Sequence, residues 1–267
     1  DLGYMGDVTS RAIIPDGHTS RAKIIAREEG IIAGTRYFQE VFQQLDSSIQ
    51  LNFHISDGEK VFRGEEAALL EGDTRALLQG ERTAMNFLCH LSGIATGTRK
   101  LVDMIKGTGT ILLDTRKTLP GLRLPEKEAV RAGGGYNHRF ALFDMILIKE
   151  NHIAAAGGIQ PALQKAFEFN AKYNNRYEIE IEVRSLEELH EALEMKPDRI
   201  MLDNFSPDMV AVAVEETARE VPLEVSGGVT EENIRLYAEA RPEYISVGGI
   251  TLSAPALDFS MLMEGIE

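Results

Sequence analysis

The chain has 267 residues, 43% hydrophobic and 26% charged, with a formal charge of −14; this excludes a disordered or fibrous chain, and the acidic balance excludes a general nucleic-acid binder. No apolar run approaches the roughly 20 residues that span a bilayer and no secretory signal opens the sequence, so neither a nucleic acid nor a membrane is expected as a partner. The single cysteine, Cys89, forbids an intrachain disulfide and a Cys-based zinc site, which together with the missing signal reads as a cytoplasmic protein.

Asp1 in place of Met implies that a short stretch precedes it. Residues 20–78 mix short alternating stretches, Arg21–Ala26 and Glu59–Phe62, with turns at Gly30, Gly34, Gly58, Gly64 and Gly72, the pattern of an α+β domain with an antiparallel sheet. From Glu81 to Lys106 apolar residues recur at three- and four-residue steps, predicting one long helix or a pair broken at Ser92-Gly93, with Gly107 as C-cap. Cys89 falls in this stretch and reads as a core thiol.

After Gly109 the rhythm changes. Six β-rich runs, Thr110–Leu113, Met145–Ile148, Ile179–Val183, Arg199–Leu202, Leu223–Val225 and Tyr244–Val247, each end in polar or glycine residues, and most intervals carry helical periodicity. Strands alternating with helices predict a parallel sheet with right-handed crossovers, closed as a barrel or left open. In either architecture ligands bind at the carboxyl ends of the strands.

Those ends hold this chain's chemistry. Residues 114–152 carry seven basic side chains (Arg116, Lys117, Arg123, Lys127, Arg131, Arg139, Lys149) against five acidic ones (Asp114, Glu126, Glu128, Asp144, Glu150), a basic mouth in an acidic protein. Such a mouth suits a polyanionic small ligand. Arg123, Lys127 and Arg131, in a loop-helix segment, read as solvated charges, whereas Arg116, Lys117 and Lys149 stand at strand ends; His138 and Arg139 follow the flexible Gly133-Gly-Gly135. Glu182 and Asp203 would aim carboxylates into the same mouth, as neighbours that neutralise its lysines or as ligands of Mg²⁺ and ribose hydroxyls. Ser226-Gly227-Gly228 and Val247-Gly248-Gly249 close the last two strands, where barrels commonly bind phosphate through backbone N–H groups. No GxxxxGK[ST], GxGxxG, HExxH, GxSxG or EF-hand string occurs.

Taken together, Gln79–Leu88, Leu91–Thr96, Asp114–Arg123, Gly133–Arg139, Leu147–His152, Leu202–Asn204 and Ser226–Gly228 closely resemble the quinolinate phosphoribosyltransferase family, with likeness from Asp1-Leu-Gly to Leu257–Ser260. The resemblance implies an N-terminal α/β sandwich domain, 1–108, and an incomplete six-stranded α/β barrel like a TIM barrel, 109–252, with 253–267 packing back on the first domain. It implies transfer of phosphoribose from phosphoribosyl pyrophosphate to the ring nitrogen of quinolinate, with release of pyrophosphate and CO₂, to give nicotinate mononucleotide for NAD synthesis. Mg²⁺ is the implied cofactor, and a homodimer or larger assembly the implied form, with Arg82 donated into the partner's site.

The resemblance puts Arg82, Arg116, His138, Arg139 and Lys149 around quinolinate, with Thr115 among the substrate-binding residues. Lys117 would stand at the leaving group, Glu182 and Asp203 on ribose hydroxyls and Mg²⁺, and Ser226–Gly228 with Val247–Gly249 on the 5′-phosphate. Two adjacent carboxylates in a dry pocket require fixed cations, and arginine can grip each with two hydrogen bonds. The acidic pair should favour an oxocarbenium-like transition state. The chain departs from the family pattern at Leu119, Glu150, Gly249 and Leu252, the last two at the phosphate end. A nicotinate-using enzyme would leave one arginine without a charge to face; a Schiff-base aldolase would need Lys149 neutral; a non-catalytic anion binder would bind without turnover.

Overall fold

The computed structural model describes residues 1–264. Up to residue 104 these form α1 (Val8–Ile13), β1 (Thr19–Ala26), β2 (Gly30–Ile31), α2 (Thr35–Leu45), β3 (Gln50–Phe53), β4 (Lys60–Val61), β5 (Glu66–Asp73) and α3 (Thr74–Met104). There follow β6 (Ile111–Leu113), α4 (Arg123–Ala132), β7 (Ile146–Ile148), α5 (Glu150–Ala156), α6 (Ile159–Ala171), β8 (Ile179–Val183) and α7 (Leu186–Met195). The chain ends with β9 (Arg199–Asp203), α8 (Pro207–Thr217), β10 (Leu223–Ser226), α9 (Ile234–Glu239), β11 (Tyr244–Ser246), α10 (Gly249–Leu252) and β12 (Phe259–Glu264).

One unit gathers Asp1–Arg99, Leu124–Gly134 and the described residues from Ser253. Its antiparallel sheet has the order β12-β1-β5-β3. β1 alternates as a half-buried strand must, with Ala22, Ile24 and Ala26 fully buried. Phe38 and Phe42 of α2 and Leu77, Ala84, Met85 and Leu88 of α3 complete this core. β12 pairs with β1 from Arg21↔Glu264 to Ala26↔Phe259, and residues 265–267 of the expected returning segment lie outside the described residues.

In this unit one of two open alternatives holds and two expectations are corrected. Helix α3 runs unbroken for 31 residues through Ser92-Gly93. Gly93 marks a close approach instead of a break, because a Cβ there would collide with the Pro255 carbonyl, and Ser92 Oγ accepts the Ala33 N–H at 3.0 Å. Leu124–Gly134, expected within the barrel, belongs with the first unit: α4 buries Pro125, Ala129 and Val130, His90 Nε2 meets Glu126 at 2.9 Å, and Arg99 Nε donates to Gly133 O at 2.9 Å. Lys127, expected in solvent, is 2% exposed beside the fully buried Glu126.

The other unit, Lys100–Arg123 with Gly135–Leu252, contains the parallel six-stranded sheet in the order β6-β11-β10-β9-β8-β7. It is an incomplete α/β barrel with β6 and β7 as its two edges. Short caps start its helices: Ser185 Oγ accepts from Glu188 N before α7, and Ser206 Oγ from Met209 N before α8, where Pro207 takes the first helical position. Tyr136 extends the β6 edge by a parallel bridge to Leu113, donating to Leu112 O at 2.8 Å and accepting from Asp114 N at 3.0 Å. Asp114 Oδ1 then accepts the His138 N–H at 2.8 Å.

Candidate active site

A two-residue period along each strand sorts the barrel interior into steps. Thr115, Lys149, Glu182, Asp203 and Ser226 reach the carboxyl-end mouth; Leu147, Met201, Glu224 and Ser246 lie one step down. They line a cavity of about 500 Å³ that also takes in Arg116, Lys117, His138, Arg139, Asn204, Gly227 and Gly228. Eleven of the fifteen residues expected at the site thus meet in one cavity of the second unit.

Val247, Gly248 and Gly249 are not among its lining. Val247 is buried, a Cβ on Gly248 would press into the Lys117 stem and Thr115, and Thr251 Oγ1 ties the Lys117 carbonyl at 2.7 Å. Gly248 thus packs behind Lys117, whereas Gly249 is exposed at the start of α10 with open space around it. In Ser226–Gly228, Gly227 has φ +90°, and a Cβ on it would collide with the Asn204 side chain. Arg82 stands on an exposed position of α3 in the first unit.

The cations of the cavity differ in their company. Lys149 Nζ is ion-paired with Glu182. Arg116 has no carboxylate partner among the described residues, and its buried Nε makes no hydrogen bond. The Arg139 guanidinium donates to the Met145 carbonyl at 3.2 Å; burial first, then the Arg116 charge beside it, hold its pKa below the usual guanidinium range. Two adjacent arginines lining one cavity have the chemistry to grip an anion. Asp203 Oδ2 accepts from Asn204 Nδ2 at 2.9 Å and has no cation partner among the described residues, so with Glu182 it offers hard oxygen donors to a divalent ion.

His138 is 9% exposed and both its ring nitrogens face the protein. Nδ1 accepts the Arg139 N–H at 2.7 Å, and Nε2 lies 3.1 Å from Glu180 and 3.4 Å from Glu224. Burial opposes a charge on the ring, but Glu180 and Glu224 outweigh it and push the pKa up to about 9; the Arg139 N–H aimed at Nδ1 works against a second proton. Glu180 is itself pushed up by burial and by Glu224, whereas His138 and Arg199, the latter 3.0 Å away, hold Glu224 down despite its burial.

Sequence reasoning missed Glu180 and Glu224. The signal was present: in Ile179-Glu-Ile-Glu-Val183 the two glutamates share one face, so a mouth-facing Glu182 places Glu180 inside as well.

Family models agree with this architecture. The quinolinate phosphoribosyl transferase C-terminal domain matches residues 94–262 and the N-terminal domain residues 7–92. The chain is 44% identical over 261 residues to the probable nicotinate-nucleotide pyrophosphorylase (carboxylating) of Bacillus subtilis (strain 168), covering 98% of this chain and 89% of that one. A solved nicotinate-nucleotide pyrophosphorylase structure from Francisella tularensis, also 44% identical, superposes with a TM-score of 0.92 over 98% of this chain and 91% of that one. Human nicotinic acid phosphoribosyltransferase, 14% identical with a TM-score of 0.60 over 92% of this chain and 71% of that one, shares the fold alone. With both domain models matched in order and a relative aligned over nearly its full length, the chain belongs to the quinolinate phosphoribosyltransferase family.

Proposed function

We propose that the chain transfers phosphoribose from phosphoribosyl pyrophosphate to the ring nitrogen of quinolinate, releasing pyrophosphate and CO₂ and forming nicotinate mononucleotide for NAD synthesis. The observation that carries this reading is the pair Arg116 and Arg139, set in one cavity without carboxylate partners among the described residues and facing the acidic pair Glu182 and Asp203. Two vicinal carboxylates answer two such guanidinium groups; nicotinate would leave one of them uncompensated.

Lys149, with Arg116 and Arg139, faces the dicarboxylate, and Thr115 and Lys117 stand where the diphosphate leaves. Glu182 and Asp203 hold the ribose hydroxyls, and their charge favours cationic character at the anomeric carbon. The Ser226–Gly228 turn receives the 5′-phosphate through backbone N–H groups. Glu182 and Asp203 would also hold Mg²⁺, which supplies charge neutralisation to the departing diphosphate. After transfer, loss of CO₂ leaves its electron pair on the ring carbon beside the cationic nitrogen, whose charge stabilises it until a proton from solvent takes the place of the carboxylate. Lys149 is set as an ion-paired ammonium, not the neutral amine an aldolase would need.

The acting form is a homodimer or larger assembly in which the partner's copy of Arg82 enters this cavity, and the place of action is the cytoplasm. Exposure of Arg82 supports the first point. The second is supported by the described residues, in which no helix is long and apolar enough to cross a membrane.

The test incubates purified protein with Mg²⁺, phosphoribosyl pyrophosphate and either quinolinate or nicotinate, following nicotinate mononucleotide and CO₂ by mass spectrometry. Product and CO₂ from quinolinate alone are expected, abolished by EDTA and restored by excess Mg²⁺. Product from nicotinate alone, or none from either, sinks the proposal.

A further inference from the structure

The middle of a barrel of this kind is ordinarily filled by branched apolar side chains. Here it holds two fully buried glutamates, Glu180 on β8 and Glu224 on β10. Burying two carboxylates within reach of each other is costly unless cations answer them. Arg199 answers one at 3.0 Å from Glu224, and the His138 ring, whose Nε2 lies 3.1 Å from Glu180 and 3.4 Å from Glu224, turns a protonated nitrogen to both whether it is neutral or charged. The histidine arrives from the segment that runs along the open β6 edge, fixed there by Asp114. Its other nitrogen receives the backbone N–H of Arg139.

This arrangement excludes a metal ion on the ring. Because Nδ1 accepts a hydrogen bond, the neutral ring carries its proton on Nε2, and that nitrogen has no lone pair to offer. It also sets Nε2 against two carboxylates, whose charge disfavours a substrate carboxylate on the same nitrogen.

From this geometry we infer that His138 is a positioning residue: clamped between Glu180 and Glu224, it holds the Arg139 backbone, and so the Arg139 guanidinium, in place for a ligand carboxylate. The inference rests on the reading of Arg139 as a carboxylate ligand given above. It moves His138 from the substrate-contacting set, where the resemblance put it, to the support beneath that set. Glu180 becomes a specificity element of the dicarboxylate end without lining the cavity itself.

A double-mutant cycle between Glu180 and Arg139 tests it. Glu180→Ala should raise the quinolinate KM about tenfold and leave the phosphoribosyl pyrophosphate KM within about twofold. In the Arg139→Ala background the same change should raise the quinolinate KM less than about twofold, since its effect passes through Arg139. Glu180→Gln, which keeps an acceptor for the Nε2 proton, should restore the quinolinate KM to within about threefold. Additive effects, an equal rise for both substrates, or a Glu180→Gln variant as impaired as Glu180→Ala would overturn the positioning role. If Glu180→Ala does not fold, His138→Asn carries the same cycle, because it drops the Nε2 donor while an amide oxygen can still meet the Arg139 N–H. A quinolinate KM unmoved by Arg139→Ala itself would instead refute the site reading beneath the inference.

Discussion

Burial and then the Arg116 charge lower the pKa of Arg139; Glu180 and Asp144 offset this only in part, and among the described residues no carboxylate is ion-paired with either arginine, a cost that a dianionic ligand removes on binding. Charge-assisted, two-pronged grips are roughly twice as strong as neutral hydrogen bonds, and losing one partner of a buried charged contact costs about 2–5 kcal/mol. Arg116→Ala and Arg139→Ala should therefore each raise the quinolinate KM by about 30-fold or more, while the phosphoribosyl pyrophosphate KM moves less than about threefold. Steady-state kinetics with each substrate varied in turn measures both; equal losses would contradict the division of the cavity into a dicarboxylate end and a phosphate end. Arg116, Lys117 and Lys149 were legible because they follow β-rich runs, where backbone direction decides what a side chain reaches, and Arg139 because it follows the Gly133-Gly-Gly135 run. His138 was legible as a site residue but not in its role, since partners on β8 and β10 are set by sheet order and not by neighbours in the chain.

At the scale of the element, α3 shows where a local rule fails. Glycine inside a helix costs about 0.5–1 kcal/mol against alanine, so Ser92-Gly93 is where the broken-pair alternative to one long helix would part. The helix continues because the glycine answers contacts far away in sequence: the Pro255 carbonyl takes the space of a Cβ, and Ser92 bonds the Ala33 backbone. Gly93→Ala, which helix propensity alone would favour, should accordingly destabilise the protein by roughly 1–3 kcal/mol through overpacking. Chemical denaturation decides between the two; unchanged or raised stability would show that the Pro255 segment yields at no cost. Lys127 failed for a related reason, because α4 was placed in the barrel rather than with the first unit, where its inward face is buried. The β8 to β11 strands were placed within a residue by their β-rich runs. These short strands carry β-branched and aliphatic residues between polar or glycine ends, which marked their limits, although burial on both faces also takes in Glu180 and Glu224.

For the whole molecule, the question is whether one chain contains everything its reaction needs. Its cavity supplies Arg116, Arg139 and Lys149 from the second unit, and Arg82 is presented outward from the first. If the partner's Arg82 completes the cavity, Arg82→Ala and Lys149→Ala proteins should each be nearly inactive alone. Mixed under conditions that exchange subunits, they should regain about one quarter of wild-type activity, because half of randomly formed dimers are hybrids and each hybrid has one intact site of two. That fraction is diagnostic: a site built within one chain predicts no recovery at any mixing ratio, since neither subunit then holds both residues. With subunit exchange followed independently by mass spectrometry of the mixture, an absence of recovery rules out the shared site. The recovered activity should also keep the wild-type preference for quinolinate over nicotinate, because the regenerated site carries every cation of the parent.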